Sequence, residues 1–327
     1  MDLLIEIKGK LSSLDGHTSR EGVEAAVRHI DVAERWFGRG RKERDDDMFN
    51  DVIYRTNQAF EGMLKEAYSV LGGKDASGLT PFEIEKRLID EEVFTGRITD
   101  LFRNYRQEWR NKSTHDHKLF FGEQEAILGI VSVSAFATIL IDQIIEKVAE
   151  ERERIDVQSK KQSLEDAISS SPTGTLRDEV VSLLKLFSDD LLKSKVELDS
   201  VRESELLGRM TGFIQGVAPN IDLVSEPKHV VGKRIIRPDL VLRRGNSKVV
   251  VELKRGTPKS LRSVRDMGLS QVMTYMNAIG AKSGVLYIAP FEKYTETKEE
   301  SFEISTGGSK HTAVVLYPSM PADSGAA

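Results

Sequence analysis

The chain has 327 residues, about twice the size of a usual domain, and is 39% apolar and 30% charged, so two ordinary globular domains are expected. It contains no cysteine, which excludes disulfides, thiolate zinc sites and cysteine nucleophiles and fits a reducing cytoplasm. The formal net charge of −5 argues against a dedicated nucleic-acid coat protein.

The N-terminus, MDLLIEIKGK, lacks a basic region followed by an apolar one and does not read as a secretory signal. Within DMFNDVIYRTNQAFEGMLKEAYSVL (47–71), Phe49, Ile53, Phe60, Leu64 and Ala67 recur near the helical period, and Gly72-Gly73 is a stop. Thr80, Pro81 and Glu83 form an N-cap, a first helical position and a capping-box partner for the next helix. ITDLFRNYRQEWRNKSTHD (98–116) reads as another amphipathic helix. The stretch 126–141 has no charge, but it is shorter than the roughly 20 residues of a spanning helix. It is expected to be a buried core helix from Glu125 to about Glu150, with no membrane partner. Residues 151–178 are polar, end in a Ser/Pro/Gly/Thr cluster and are the best linker candidate, with a helical first part allowed.

After about residue 180 the period changes. A helix over 179–216 precedes strand-like segments IDLVSE, KRIIRPDLVLRR, SKVVVELKR, SGVLYIAP and HTAVVLYP, with one helix over 259–280 among them. The expectation is a two-domain α+β protein: an all-α helical bundle over 1–150, a linker over 151–178, an α/β domain with a mixed sheet over 179–320 and a tail over 321–327.

The second domain carries a cationic block. From Lys228 to Arg265 there are five Lys and seven Arg against only Asp239 and Glu252, a local charge of +10 that leaves about −15 elsewhere. Such a block suits a polyanion. RPDLVLRRGNSKVVVELKR (237–255) reads as a hairpin turning at Gly245-Asn246-Ser247. On its second strand Val250, Glu252 and Lys254 share one face, and Val249, Val251 and Leu253 the other. A carboxylate and an ammonium thus occupy an otherwise buried strand, where they are costly unless paired or metal-bound. Asp239, on the neighbouring strand, is in reach of the same face. Two carboxylates and the Leu253 carbonyl make an oxygen-rich set suited to Mg²⁺, with Lys254 orienting or deprotonating water. An E-x-K tripeptide alone is common. On the following helix Gln271 and Tyr275 lie one turn apart on one face.

Together, the Pro-Asp, the hairpin, E-x-K and Gln-x-x-x-Tyr closely resemble the PD-(D/E)xK nuclease superfamily over about 120 residues. The resemblance implies a restriction-endonuclease-like fold and a catalytic set of Asp239, Glu252, Lys254, Gln271 and Tyr275. It implies Mg²⁺, with Mn²⁺ as the alternative ion, held by Asp239, Glu252, Leu253 and a first-helix glutamate. For that glutamate Glu203 and Glu205 are candidates, and Glu205 is preferred. Lys233, Arg234, Arg237 and Arg255 are the candidate phosphate contacts.

The first domain offers a second constellation. EWRNKSTHDH places Arg110, Asn111 and His115 near a helix end, groups suited to metal-independent ribonuclease chemistry. The helical context resembles the HEPN family, in which two protomers usually join their motifs across a dimer interface. Trp109 is expected in core or interface, and His117 in solvent. The leading expectation is a Mg²⁺-dependent endonuclease acting on DNA rather than RNA, a cytoplasmic homodimer or higher homo-oligomer. By resemblance it is similar to prokaryotic anti-phage nucleases of the Shedu type, with the helical domain for assembly or regulation. The alternatives are a HEPN ribonuclease with a DNA-sensing C-terminal domain, and a non-catalytic nucleic-acid-binding adaptor.

Overall fold

A computed structural model describes residues 2–91, 93, 105, 107, 120–169, 174–194, 197–292, 294–306 and 309–319. The chain divides into two compact units, Met1–Val148 and Ala149–Ala327.

The first unit is helical throughout its described elements. These are α1 (Leu3–Lys10), a 3-10 turn (Leu11–Leu14), α2 (Arg20–Glu43), α3 (Asp47–Leu71), α4 (Pro81–Asp90) and the first part of α5 (Glu123–Ser169). The Thr80 hydroxyl accepts from the Glu83 amide at 3.3 Å while the Glu83 carboxylate accepts from the Thr80 amide at 2.8 Å. This capping box starts α4 as its sequence requires and stabilises it by about 1 kcal/mol. Val133, Phe136, Leu140 and Ile144 of α5 share a buried core with Phe60, Met63 and Tyr68 of α3. By length and composition the apolar part of α5 would suffice to cross a membrane, but half of that window is buried in the protein, as in a core helix. Of the helix expected over 98–116, Tyr105 is buried and stacks on Phe60 with ring centroids 4.6 Å apart. Trp109, Arg110, Asn111, His115 and His117 lie outside the described residues.

The first part of the expected linker is helical, as the sequence allowed, and residues 170–173 of its Ser/Pro/Gly/Thr cluster lie outside the described residues. α5 runs unbroken for 47 residues to Ser169, because 151–169 contain neither Pro nor Gly and one face is buried through Glu153 and Val157. The helix expected over 179–216 is instead two, α6 (Leu176–Lys193) and α7 (Glu203–Val217).

The second unit holds a six-stranded mixed sheet in the order β1-β4-β5-β6-β8-β7 and a separate two-stranded ribbon, β2-β3. The strands are β1 (Asp222–Ser225), β2 (His229–Val231), β3 (Arg234–Ile236), β4 (Leu240–Arg244), β5 (Ser247–Gly256), β6 (Ser283–Pro290), β7 (Glu296–Thr306) and β8 (Ser309–Ser319). β4 and β5 form the expected antiparallel hairpin, closed at Arg244↔Ser247 with Gly245 at φ 57°. β5 then pairs β6 in parallel after the crossover helix α8 (Leu261–Ile279). Val249, Val251 and Leu253 pack on the side of α6 and α7, and Val250 on the side of α8, so the sheet is covered on both faces.

Gly212 lets α7 cross α5 closely: a Cβ there would stand 2.2 Å from the Glu150 carbonyl oxygen. Gly212→Ala is therefore expected to lower the thermal midpoint of unfolding through an overpacking cost of about 1–3 kcal/mol. An unchanged midpoint would contradict this packing.

Candidate metal centre

The centre is built where β4 begins and β5 ends. Antiparallel register pairs Leu240 with Val251, and one step further sets Asp239 opposite Glu252. Directly opposed residues of an antiparallel pair project from the same face, and like charges there repel. Glu252 and Lys254 share that face by strand alternation. Glu252 is 1% exposed.

Three contacts fix the group. Asp239 Oδ2 accepts from the Leu253 amide at 2.6 Å, Lys254 Nζ donates to Glu252 Oε1 at 2.6 Å, and Lys254 Nζ also donates to the Leu253 carbonyl at 3.1 Å. Glu252 Oε2 is buried and has no hydrogen-bond partner. An orphaned carboxylate oxygen in a protein interior is costly, and a bound cation or an ordered water would relieve it.

Electrostatics point the same way. Burial, and then the Glu252 charge, push the Asp239 carboxyl up to about 7, against the Leu253 amide and Lys254. Burial also raises Glu252 above the usual carboxylate range, opposed by the Lys254 hydrogen bond and charge and by the Asp239 amide. Burial lowers the Lys254 ammonium, but the hydrogen bond and charge of Glu252, then Asp239 and Glu203, outweigh it and raise its pKa. The carboxylates around it thus favour the charged form of Lys254, and its bonds to Glu252 and the Leu253 carbonyl suit the orienting role of the two expected for it. A divalent cation would relieve the carboxylate repulsion, and Asp239, Glu252 and the Leu253 carbonyl are the oxygen donors that fit one.

α8 lies close on this face. A Cβ at Gly268 would meet Leu286 at 2.6 Å, and one at Gly284 would meet Val272 at 2.5 Å. This close packing brings Gln271 and Tyr275 toward the carboxylates. Gln271 Nε2 donates to the Tyr275 hydroxyl at 2.7 Å. Burial, and then the charges of Glu252 and Asp239, raise the Tyr275 pKa despite the Gln271 bond.

From α7 it is Glu203, rather than the preferred Glu205, whose charge acts on Asp239, Glu252 and Lys254 alike. Glu205 faces Arg209 at 3.4 Å instead. The two are separated by two helical positions, roughly 200° of rotation, so one faces the centre and the other does not.

Arg255 also departs from expectation. Its guanidinium is not held out for phosphate: Nη1 donates to the Val201 carbonyl, and Nη2 donates to the Leu198 carbonyl and, at 3.0 Å, to that of Pro290. It lies 3.9 Å over the Phe291 ring. The half-buried cation thus clamps the end of β5 to the loop that leads into α7. Other members of the cationic block are likewise engaged. Arg244 pairs with Glu179 at 2.5 Å, Arg265 with Glu300 at 3.2 Å, and Lys248 donates to the Ile279 carbonyl at 3.3 Å. Lys233 and Arg234 are exposed and Arg237 half-buried, and among the described residues none of these three forms an ion pair.

One acidic group escaped the sequence reading. Glu153, Asp156 and Asp190 offer oxygens within 4.8 Å of one another. Lys160 contacts Asp156 at 2.6 Å and Asp190 at 2.9 Å, and Arg209 lies 3.9 Å from Glu153, so protein cations already supply countercharge. The Asp156–Lys160 spacing of one turn was its signal. Burial, more than Asp190 and Asp156, pushes Glu153 up to about 7 against Arg209. Because the folded pKa lies above the unfolded one, the protonated form favours folding, and this contribution is lost as pH rises through about 7. Glu153→Gln is therefore expected to raise stability over wild type at pH 8 by about 1–3 kcal/mol and to be near neutral at pH 4. Denaturant unfolding at the two pH values checks this; a loss of stability at pH 8 would refute it.

In comparisons with known proteins, no family model, curated protein or solved structure matches this chain.

Proposed function

We propose that the second unit is a Mg²⁺-dependent endonuclease of the PD-(D/E)xK type that hydrolyses DNA phosphodiester bonds. The observation that carries the reading is the Asp239–Glu252 pair, with Glu252 buried, one of its oxygens lacking a partner and the Lys254 ammonium alongside. A pure binder of nucleic acid has no use for converging carboxylates that repel phosphate. Gln271 and Tyr275 on the adjacent helix, and the surrounding cations, add support.

A divalent ion, when bound, lowers the pKa of water and offsets the charge of the phosphodiester. Asp239, Glu252 and the Leu253 carbonyl would hold it, and Glu203 adds negative charge from the start of α7. The Lys254 ammonium, kept charged by its neighbours, orients the attacking water and a phosphate oxygen. Gln271 and Tyr275 position the backbone beside the carboxylates. Mn²⁺ is expected to substitute, since it accepts the same oxygen donors.

The protein acts on DNA in preference to RNA, in the cytoplasm, as a homodimer or higher homo-oligomer that the helical unit assembles or regulates. A role in prokaryotic anti-phage defence, as in nucleases of the Shedu type, rests on family analogy. The test is to incubate purified protein with plasmid, linear duplex DNA and RNA, each in Mg²⁺ and in EDTA. DNA cleavage in Mg²⁺ alone is expected. RNA cleavage that persists in EDTA would overturn this reading in favour of the Arg110/His115 ribonuclease.

A further inference from the structure

The β2-β3 ribbon stands apart from the six-stranded sheet. It is an insert between β1 and β4, flanked by Pro227 and Pro238, and it turns at Gly232 (φ 61°). Cross-strand register pairs Val230 with Ile235 on one face, and His229 with Ile236 and Val231 with Arg234 on the other. The second face is anchored at its base, where Ile236 packs against the core on the α8 side, while Val231 and Arg234 near the turn are exposed. The first is bare: Val230 is 67% exposed and Ile235 56%. Residues 227–238 carry Lys228, Lys233, Arg234 and Arg237 and no acid.

The base of the ribbon is fastened to the metal centre. The Glu226 amide, in a left-handed conformation at φ 44°, donates to the Asp239 carbonyl at 2.8 Å. Whatever the ribbon grips is therefore held next to the Asp239 carboxylate. An open, apolar strand pair at a surface invites aggregation unless something covers it.

We propose that this ribbon enters the major groove of B-form duplex DNA, which makes duplex DNA the substrate of the centre. This rests on the reading of that centre as a nuclease. The major groove of B-DNA is wide enough for a two-stranded ribbon and presents thymine methyl groups to apolar side chains. Val230 and Ile235 supply that apolar face. Lys233 and Arg234 at the turn, with Lys228 and Arg237 at the base, meet the phosphates on either side. The deep, narrow major groove of A-form RNA excludes such a ribbon, and a single strand offers no groove.

Binding is measured in Ca²⁺, by fluorescence anisotropy, for a short duplex DNA, one of its strands alone and a duplex RNA of equal length. Wild type is expected to bind duplex DNA at least about ten-fold more tightly than either of the others. The double variant Lys233→Ala/Arg234→Ala should lose affinity and reduce the salt slope of binding by about 1.8, the value for two phosphate contacts. Val230→Ser/Ile235→Ser should lose duplex affinity with the slope unchanged. Wild-type affinity in both ribbon variants, or equal binding of the single strand or of RNA, would overturn the proposal. Glu252→Gln serves as the separate control for the nuclease reading alone: its Mg²⁺-dependent cutting of duplex DNA should fall by a factor on the order of 10³. Full cutting by that variant sinks the nuclease reading, whatever the ribbon does.

Discussion

Glu252→Gln is expected to reduce Mg²⁺-dependent DNA cleavage by a factor on the order of 10³, about 4 kcal/mol of barrier, without lowering stability in EDTA. The substitution removes a charge from a position that is 1% exposed and faces Asp239. It keeps the size of the side chain and an acceptor for Lys254, which donates to Glu252 Oε1 at 2.6 Å. A group selected for folding would lower the melting temperature when altered. A group retained for a ligand leaves it unchanged or raises it, because the repulsion between two carboxylates is gone. Mg²⁺ should then raise the melting temperature of wild type by mass action and leave the variant nearly unmoved. Thermal melts with and without Mg²⁺, beside a cleavage assay, check both halves. A variant that melts well below wild type in EDTA would assign Glu252 a structural role instead.

Arg255→Ala should behave in the opposite way. Its guanidinium serves carbonyls of Leu198, Val201 and Pro290, so truncation leaves buried acceptors unpaired at a cost of about 3 kcal/mol or more. The loop it holds leads into α7 and so fixes the position of Glu203. Lys at this position is expected to rescue little, since one ammonium cannot span the three carbonyls that a planar fork reaches. Denaturant unfolding should show the loss in both variants. The salt slope of DNA binding should stay that of wild type. A normal unfolding midpoint with a reduced slope would instead make Arg255 a phosphate contact.

Much of the candidate site was legible because it is local. Strand alternation set Glu252 and Lys254 on one face, Gly245-Asn246 closed the hairpin that brings Asp239 across, and a spacing of four joined Gln271 to Tyr275. What escaped depends on the chain returning from a distance. Nothing near Arg255 in sequence reveals that residues 198–201 fold back over it. Glu203 and Glu205 share a helix turn, and only the packing of α7 fixes which one faces the carboxylates. β7 was not expected because its charged sequence suits an exposed edge strand, which needs no apolar alternation beyond its pairing with β8. The polar stretch after residue 150 looked like a linker because a helix with one narrow buried face has nearly the composition of a loop.

The central claim is that Asp239, Glu252 and Lys254 form one metal-dependent hydrolytic centre. Its most direct measurement is the conversion of supercoiled plasmid by wild type, Asp239→Asn and Lys254→Ala, each in Mg²⁺ and in EDTA. Wild type in Mg²⁺ should nick or linearise the plasmid, while EDTA or either substitution leaves it supercoiled. Undiminished cutting by both variants, or by wild type in EDTA, would contradict the account.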